Sequence, residues 1–172
     1  VLEAEPDRLA RLAREFADFG RLPEGPKSEI ELGELLEELG RTGVPDGVRV
    51  SVSANGAGGG RRAIIKGHYD PLRRAFANLL RNAAEAMGAR GAIDVTVTGD
   101  GSGIAVTSAD HGPGIPDDLR QRVFEPYFTT KSDGTGLGLA LVRQTLEAHR
   151  GTIALTGTPG GGATFVIVFP PT

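Results

Sequence analysis

Asp110-His111-Gly112-Pro113-Gly114-Ile115, then Phe124-Glu125-Pro126-Tyr127-Phe128-Thr129-Thr130-Lys131, then Gly134-Thr135-Gly136-Leu137-Gly138-Leu139 is the stretch around which the chain is organised. Two glycine clusters bracket an aromatic loop that ends on a lysine. Glycine lets backbone approach a ligand closely and adopt positive φ, so such clusters beside Asp and Lys point to a pocket for a polar, phosphorylated ligand. Upstream, Asn78-Leu79-Leu80-Arg81-Asn82-Ala83-Ala84-Glu85-Ala86 adds polar residues at helical spacing.

Composition bounds the rest. The 172 residues suit one ordinary domain with a short appendage, and 26 glycines mark a chain rich in loops or wrapped around a ligand. A net charge of -3 gives no broad basic field, which disfavours nucleic acid as a partner. With no cysteine there is no disulfide or thiolate metal site, as fits a reducing compartment. No apolar run approaches the roughly 20 residues that span a bilayer, and the start at Val1 rather than Met is the mark of a fragment.

Working outward, Leu2, Leu9 and Phe16 recur every seventh residue with Leu12 and Phe19 between them, an a/d stripe that predicts a helix over 6–19 seeking a partner helix, the alternative being a helix packed on its own domain. Gly20, Pro23, Gly25 and Pro26 then make a linker. Ile30 and Leu32 predict a brief strand, and Leu32, Leu35, Leu36 and Leu39 a short helix stopped by Gly40. Strands are expected over 47–54 and 63–66, joined by a turn over 55–60. Asp70 before Pro71 reads as an N-cap opening a long helix that ends near Gly88. A hairpin over 92–98 and 104–109 follows, then a helical turn over 117–123, a helix over 137–149 and a closing hairpin over 152–155 and 163–169.

On the long helix Asn78, Asn82 and Glu85 lie at i, i+4 and i+7 and share one wall. An amide oxygen suits Mg²⁺ that is already held by phosphate and water, because that cation takes only one or two protein ligands. Asp110, at a strand end, can accept a hydrogen bond from an exocyclic amine such as that of adenine. Gly134 to Gly138, opening a helix, can offer backbone N–H groups and a positive dipole end to phosphates, with Lys131 as a point charge. Neither the common P-loop nor the dinucleotide-binding glycine pattern is present.

In their order, Asn78 to Ala86, Asp110 to Ile115, Phe124 to Phe128 and Gly134 to Leu139 resemble the N, G1, F and G2 boxes of the catalytic, ATP-binding domain of bacterial sensor histidine kinases, within the superfamily shared with DNA gyrase and MutL. The short span from Phe128 to Gly134 looks most like the nitrogen-regulation type. The resemblance implies a two-layer α/β sandwich, a mixed and mainly antiparallel sheet covered by about three helices. It further implies ATP and Mg²⁺ as ligands, with Asn82 on the metal and Asp110 on the adenine amine. Gly112 and Gly114 would shape the base pocket, Lys131 and the backbone of Gly134, Thr135, Gly136, Leu137, Gly138 and Leu139 would hold the phosphates, and Ile115, Phe128, Thr129 and Thr130 belong to the same ATP-binding set. Thr164 would join Asp110 around the base, and Glu85 would stand at the phosphate rim.

The same resemblance implies residues 1–22 as the end of a dimerisation helix, 23–28 as a linker and 29–172 as the catalytic domain of a cytoplasmic module, in a parent that can be anchored in the inner membrane. Its partners would be the dimerisation helices of the same kinase and a response-regulator receiver domain. The γ-phosphoryl group would pass to a histidine absent from this chain, since His68, His111 and His149 match no phosphoacceptor pattern. Asn78 stands where the hydrolysing branch carries a glutamate, and an amide is a poor general base. His111 occupies a position where Asn is common and is expected to alter the base pocket; Arg150 replaces a frequent Gly. A hydrolysing ATPase and a nucleotide-binding adaptor without transfer activity are the alternatives.

Overall fold

The structure is a computed structural model that describes residues 4–54, 62–131 and 134–171. The turn expected over 55–60 lies outside the described residues. Helix α1 (Ala4–Asp18) leads through a linker to strand β1 (Ser28–Glu31), helix α2 (Leu32–Thr42), strands β2 (Val48–Ala54) and β3 (Ile64–Gly67), and the long helix α3 (Tyr69–Ala86). Strands β4 (Gly91–Asp100) and β5 (Gly103–Ala109), two 3-10 turns (Asp117–Leu119, Arg122–Phe124), helix α4 (Gly138–Ala148) and strands β6 (Thr152–Gly157) and β7 (Ala163–Phe169) complete the chain.

Strands order as β2-β4-β5-β7-β6 in a five-stranded sheet, antiparallel throughout except that β2 runs parallel to β4. Strands β1 and β3 form a separate antiparallel pair. This is the expected mixed, mainly antiparallel sheet with α2, α3 and α4 packed on one face. Alternation explains the layering: Ile93, Val95, Val97 and Val106, with Phe165, Ile167 and Phe169, point into the core. There they meet Leu32, Leu36 and Leu39 of α2, Leu72, Phe76, Leu79 and Leu80 of α3, and Val142 and Leu146 of α4. No residue of α1 joins this core. No helix among the described residues is long and apolar enough to cross a membrane.

Of the boundaries that differ from expectation, three have a local reason. Helix α3 is capped by His68, whose extended backbone (φ -89°, ψ 112°) offers its carbonyl to the Leu72 N–H, so Asp70 and Pro71 lie inside the first turn rather than at the cap. Proline is tolerated there because the first N–H groups of a helix have no intrahelical partner. Pro6 sits equally well inside α1, which begins at Ala4 instead of residue 6. Helix α2 runs on past Gly40 to Thr42: a Cβ at Gly40 would stand 2.9 Å from the Cβ of Val50, so the missing side chain lets α2 lie against β2 instead of ending it.

A candidate nucleotide-binding site

Helix α3 buries Leu72, Phe76, Leu79 and Ala83, which turns Asn78, Arg81, Asn82 and Glu85 onto an edge at the rim of the core. The Asn82 Oδ1 accepts a hydrogen bond from the Lys131 ammonium at 3.1 Å, and the same ammonium pairs with the Glu85 carboxylate. The Arg81 guanidinium donates to Asn78 Oδ1, and its Nε lies 4.0 Å from Glu85.

Asp110 directly follows β5 and is almost wholly buried, at 2% exposure. Its Oδ1 accepts the N–H groups of Gly112 (3.0 Å) and Ala163 (3.1 Å), which locks the carboxylate between β5 and β7. Oδ2 accepts no bond among the described residues, so one acceptor oxygen remains for a ligand donor.

The third wall is the loop from Phe124 to α4. Tyr127 and Gly136 are tied by an N–H···O bond of 2.8 Å. Gly136 has φ +72°, and a Cβ there would lie 2.3 Å from the Tyr127 carbonyl carbon, so only glycine permits this approach. The Thr129 hydroxyl accepts the Lys131 N–H (3.0 Å), and the Thr135 hydroxyl accepts that of Leu137 (3.2 Å). Helix α4 starts at Gly138 with no side-chain cap, and its first intrahelical bond is Leu141 N–H to Leu137 O. The N–H groups of Gly138, Leu139 and Ala140 are therefore available to an anion.

These walls enclose a cavity of about 590 Å³, of a size that holds a small-molecule ligand. It brings together Asn82, Glu85, Asp110, Gly114, Ile115, Phe128, Thr129, Thr130, Lys131, Gly134, Thr135, Gly136, Gly138 and Leu139. Four expected residues lie outside it. Asn78 faces an adjoining cavity, bound to Arg81. Gly112 acts through its N–H on Asp110, and Leu137 is fully buried. Thr164 points to the opposite sheet face, where its hydroxyl lies 2.9 Å from that of Thr158; strand alternation gives the cavity wall to Ala163 and Phe165 instead. His111 is also absent from the lining and pairs with Asp94 at 2.9 Å.

The cavity also takes Arg11 and Glu15 from α1 and Arg81 from α3, which the motif reading omitted. Arg81 was accessible to the same helical-face argument that found Asn82 and Glu85, being three residues after Asn78. Nothing in the heptad pattern of α1 marks Glu15.

The oxygen donors of Asn82 and Glu85 fit a hard cation, since they already converge on one ammonium. Among the described residues no group of three or more His, Cys, Asp or Glu side chains is arranged to hold a metal alone, so phosphate and water would have to supply the other ligands.

Residues 67–172 match the family described as histidine kinase-, DNA gyrase B- and HSP90-like ATPase. The chain is 34% identical over 171 residues to the sensor histidine kinase ZraS of Klebsiella oxytoca, a match that covers 99% of this chain and 37% of that protein. The chain thus spans little more than a third of that relative's length. Among solved structures it is similar to the catalytic domain of histidine kinase ThkA (TM-score 0.72, 27% identity, 86% of this chain and 97% of that one). It is also similar to full-length ShkA in complex with AMPPNP (TM-score 0.82, 26% identity, 98% of this chain and 37% of that one). By the extent of the family match, well over half its length, the chain belongs to the histidine kinase-, DNA gyrase B- and HSP90-like ATPase family.

Proposed function

We propose that this chain is the ATP-binding catalytic domain of a two-component sensor histidine kinase, transferring the γ-phosphoryl group of ATP to a histidine on the dimerisation domain for relay to the receiver domain of a response regulator. One observation carries the reading: a single cavity joins a buried carboxylate with one free acceptor oxygen, Asp110, to an Asn82–Lys131–Glu85 cluster and the uncapped start of α4. The first end suits an exocyclic amine and the second a polyphosphate. The name of ZraS and the AMPPNP complex of ShkA support the same assignment.

In this reading Asp110 orients the base through its free oxygen, with Gly114, Ile115 and Phe165 lining the slot. Lys131 and the N–H groups of Gly138 and Leu139 hold the phosphates, and Asn82 with Glu85 would hold Mg²⁺. The cation, when bound, would neutralise phosphate charge. The chain's contribution is then positioning: it aligns the terminal phosphoryl group toward an incoming imidazole and supplies donors to the charge that develops. The phosphorus–oxygen bond to the leaving diphosphate breaks as a phosphorus–nitrogen bond to the histidine forms.

Asn78 cannot take a proton from water and its Oδ1 already accepts from Arg81, while Glu85 is paired with Lys131; this favours transfer over hydrolysis. Residues 1–22 belong, in this proposal, to the dimerisation helix, 23–28 to the linker and 29–172 to the catalytic domain, with the module in the cytoplasm. The exposed Leu9, Leu12 and Phe16 of α1 are where dimer helices would pack. The ZraS name does not itself specify nitrogen regulation, and that finer type rests on the short span between Phe128 and Gly134.

Calorimetry with Mg-ADP tests the site. Asp110→Asn should lose about tenfold or more in affinity, the worth of a hydrogen bond to a charged group. Unchanged binding would remove Asp110 from the base pocket. Transfer of label from ATP to a supplied acceptor-helix domain then separates the kinase from a nucleotide-binding adaptor, which would bind and not transfer.

A further inference from the structure

Glu15 is the one acidic side chain of α1 that is buried, at 9% exposure, and it is buried in the wall of the nucleotide cavity. Its Oε2 accepts the Thr135 hydroxyl, within the glycine-rich stretch that opens α4, and its Oε1 lies 3.9 Å from the Arg81 guanidinium. Arg81 in turn lies 4.0 Å from Glu85, which holds Lys131. Glu15, Arg81, Glu85 and Lys131 therefore form an alternating line of charges along one side of the cavity, neutral in sum.

Two features of that line point to a ligand. Burying a carboxylate is unfavourable unless its partners are close, and Glu15 has one close partner, the neutral Thr135 hydroxyl. The Arg81 contacts to both carboxylates are long and lack the paired geometry in which a guanidinium binds best, its one hydrogen bond among the described residues going to the neutral Asn78 amide. A phosphoryl group carries more charge and more acceptor oxygens than either carboxylate. The line also runs beside Asn82 and Thr135, at the phosphate side of the cavity, and Arg81 neighbours Asn82 on α3. Glu15 is thus an internal anion beside groups that would otherwise receive the end of a polyphosphate.

The helix that carries Glu15 is fastened lightly. Its apolar Leu9 and Phe16 are exposed, and beyond Glu15 the described hydrogen bonds to the domain come from one residue of α4, Gln144, which binds the Gly20 N–H (2.8 Å) and the carbonyls of Asp18 (3.4 Å) and Arg21 (3.0 Å). Displacing α1 would remove a competitor from Arg81 without opening the core.

We propose that Arg81 is a ligand of the terminal phosphoryl group of a bound nucleoside triphosphate, and that Glu15 on α1 is the built-in anion that holds Arg81 until α1 moves. The inference rests on the nucleotide-site reading above and adds a positioning residue and its regulator. It makes α1 docking and triphosphate binding compete for one guanidinium, while a diphosphate, which lacks the terminal group, is indifferent to both.

The test is calorimetry on the 172-residue chain with Mg-ADP and with a Mg-bound imido analogue of ATP, for the parent, Arg81→Ala, Glu15→Gln and the double variant. Arg81→Ala should weaken the triphosphate by about tenfold, as for a lost charge-assisted bond, and leave ADP within about twofold. Glu15→Gln, which preserves size, should tighten the triphosphate several-fold and not ADP, and that gain should vanish in the Arg81→Ala background. Equal losses for both nucleotides in Arg81→Ala, with a melting curve like the parent's, would overturn the phosphate role. Should Arg81→Ala fail to fold, Arg81→Lys and Glu15→Gln carry the test, and an unaltered triphosphate affinity in Glu15→Gln would overturn the competition. A folded parent that binds neither nucleotide would overturn the site assignment itself, and this inference with it.

Discussion

Gly136 and Arg150 occupy the same region of backbone space with opposite consequences. Gly136, at φ +72°, leaves no room for a Cβ against Tyr127, whereas Arg150, at φ +62°, adopts the left-handed conformation with a side chain attached. Left-handed backbone costs a non-glycine residue roughly 1 kcal/mol. Arg150→Gly should therefore raise stability by up to about 1 kcal/mol, while Gly136→Ala should lower it by at least about that much and weaken ADP binding through the displaced loop. Denaturant unfolding of the two variants checks both signs; a destabilising Arg150→Gly would show that the guanidinium makes a compensating contact. Asp110 illustrates what sequence can and cannot say about one residue. Its place at a strand end before Gly-Pro-Gly was legible, but the orientation that spends Oδ1 on two backbone donors and frees Oδ2 depends on Ala163, more than fifty positions away in the chain. Thr164 shows the converse: the resemblance put it beside Asp110, while its side of the strand was set by which face of β7 the core required.

Between elements, a histidine pair joins the segment around Gly25 to the start of α3 and the end of α4. The His149 Nδ1–H donates to the Thr145 carbonyl (2.7 Å), leaving Nε2 to accept the His68 N–H at the start of α3 (3.0 Å). The His68 ring edges onto His149 at 5.4 Å and its Nε2 lies 3.1 Å from the Gly25 carbonyl of the linker. His149 is held below the usual histidine value, first by burial, with His68 and Lys27 opposing the added charge and the Thr145 carbonyl partly offsetting them. Because the folded value is depressed, the contribution to stability is fully present above the unfolded value of about 6.5 and is lost as pH falls through the lower folded value. The melting temperature should hold above pH of about 6.5 and fall below it, and His149→Gln should flatten that part of the profile. A fall of the same size in the variant would assign it to other groups. Sequence periodicity located α3 and α4 well, but the Asp-Pro pair read as the cap, and of the histidines the sequence said only that none matches a phosphoacceptor pattern. The tertiary approach of α4 to the start of α3 makes them a pair.

For the whole molecule, the core begins at Ile30 and takes nothing from α1. A chain beginning at residue 23 should stay folded and keep its ADP affinity, because it retains every buried apolar residue and the Asp110 slot. Its triphosphate affinity should rise, since Glu15 is gone. A sharp loss of the folded state, seen as a non-cooperative melt, would show that α1 is part of the domain and not an appended helix. The apolar Leu9 and Phe16 of α1, seven residues apart, are exposed and stand apart from the core.

What the sequence by itself determined is whatever depends on neighbours along the chain. Period-two and helical spacing of apolar residues marks the strands and helices, and the glycine clusters beside Asp110 and Lys131 point to a pocket for a polar, phosphorylated ligand. What only the tertiary structure decided is whatever depends on groups distant in sequence meeting at one place. The placing of Glu15 against Thr135 and Arg81, the exclusion of Asn78 and Thr164 from the cavity, and the run of α2 past Gly40 are all of this kind. Periodicity carries direction along one element, whereas the side on which another element arrives is chosen by packing of the whole core, and no local pattern encodes it.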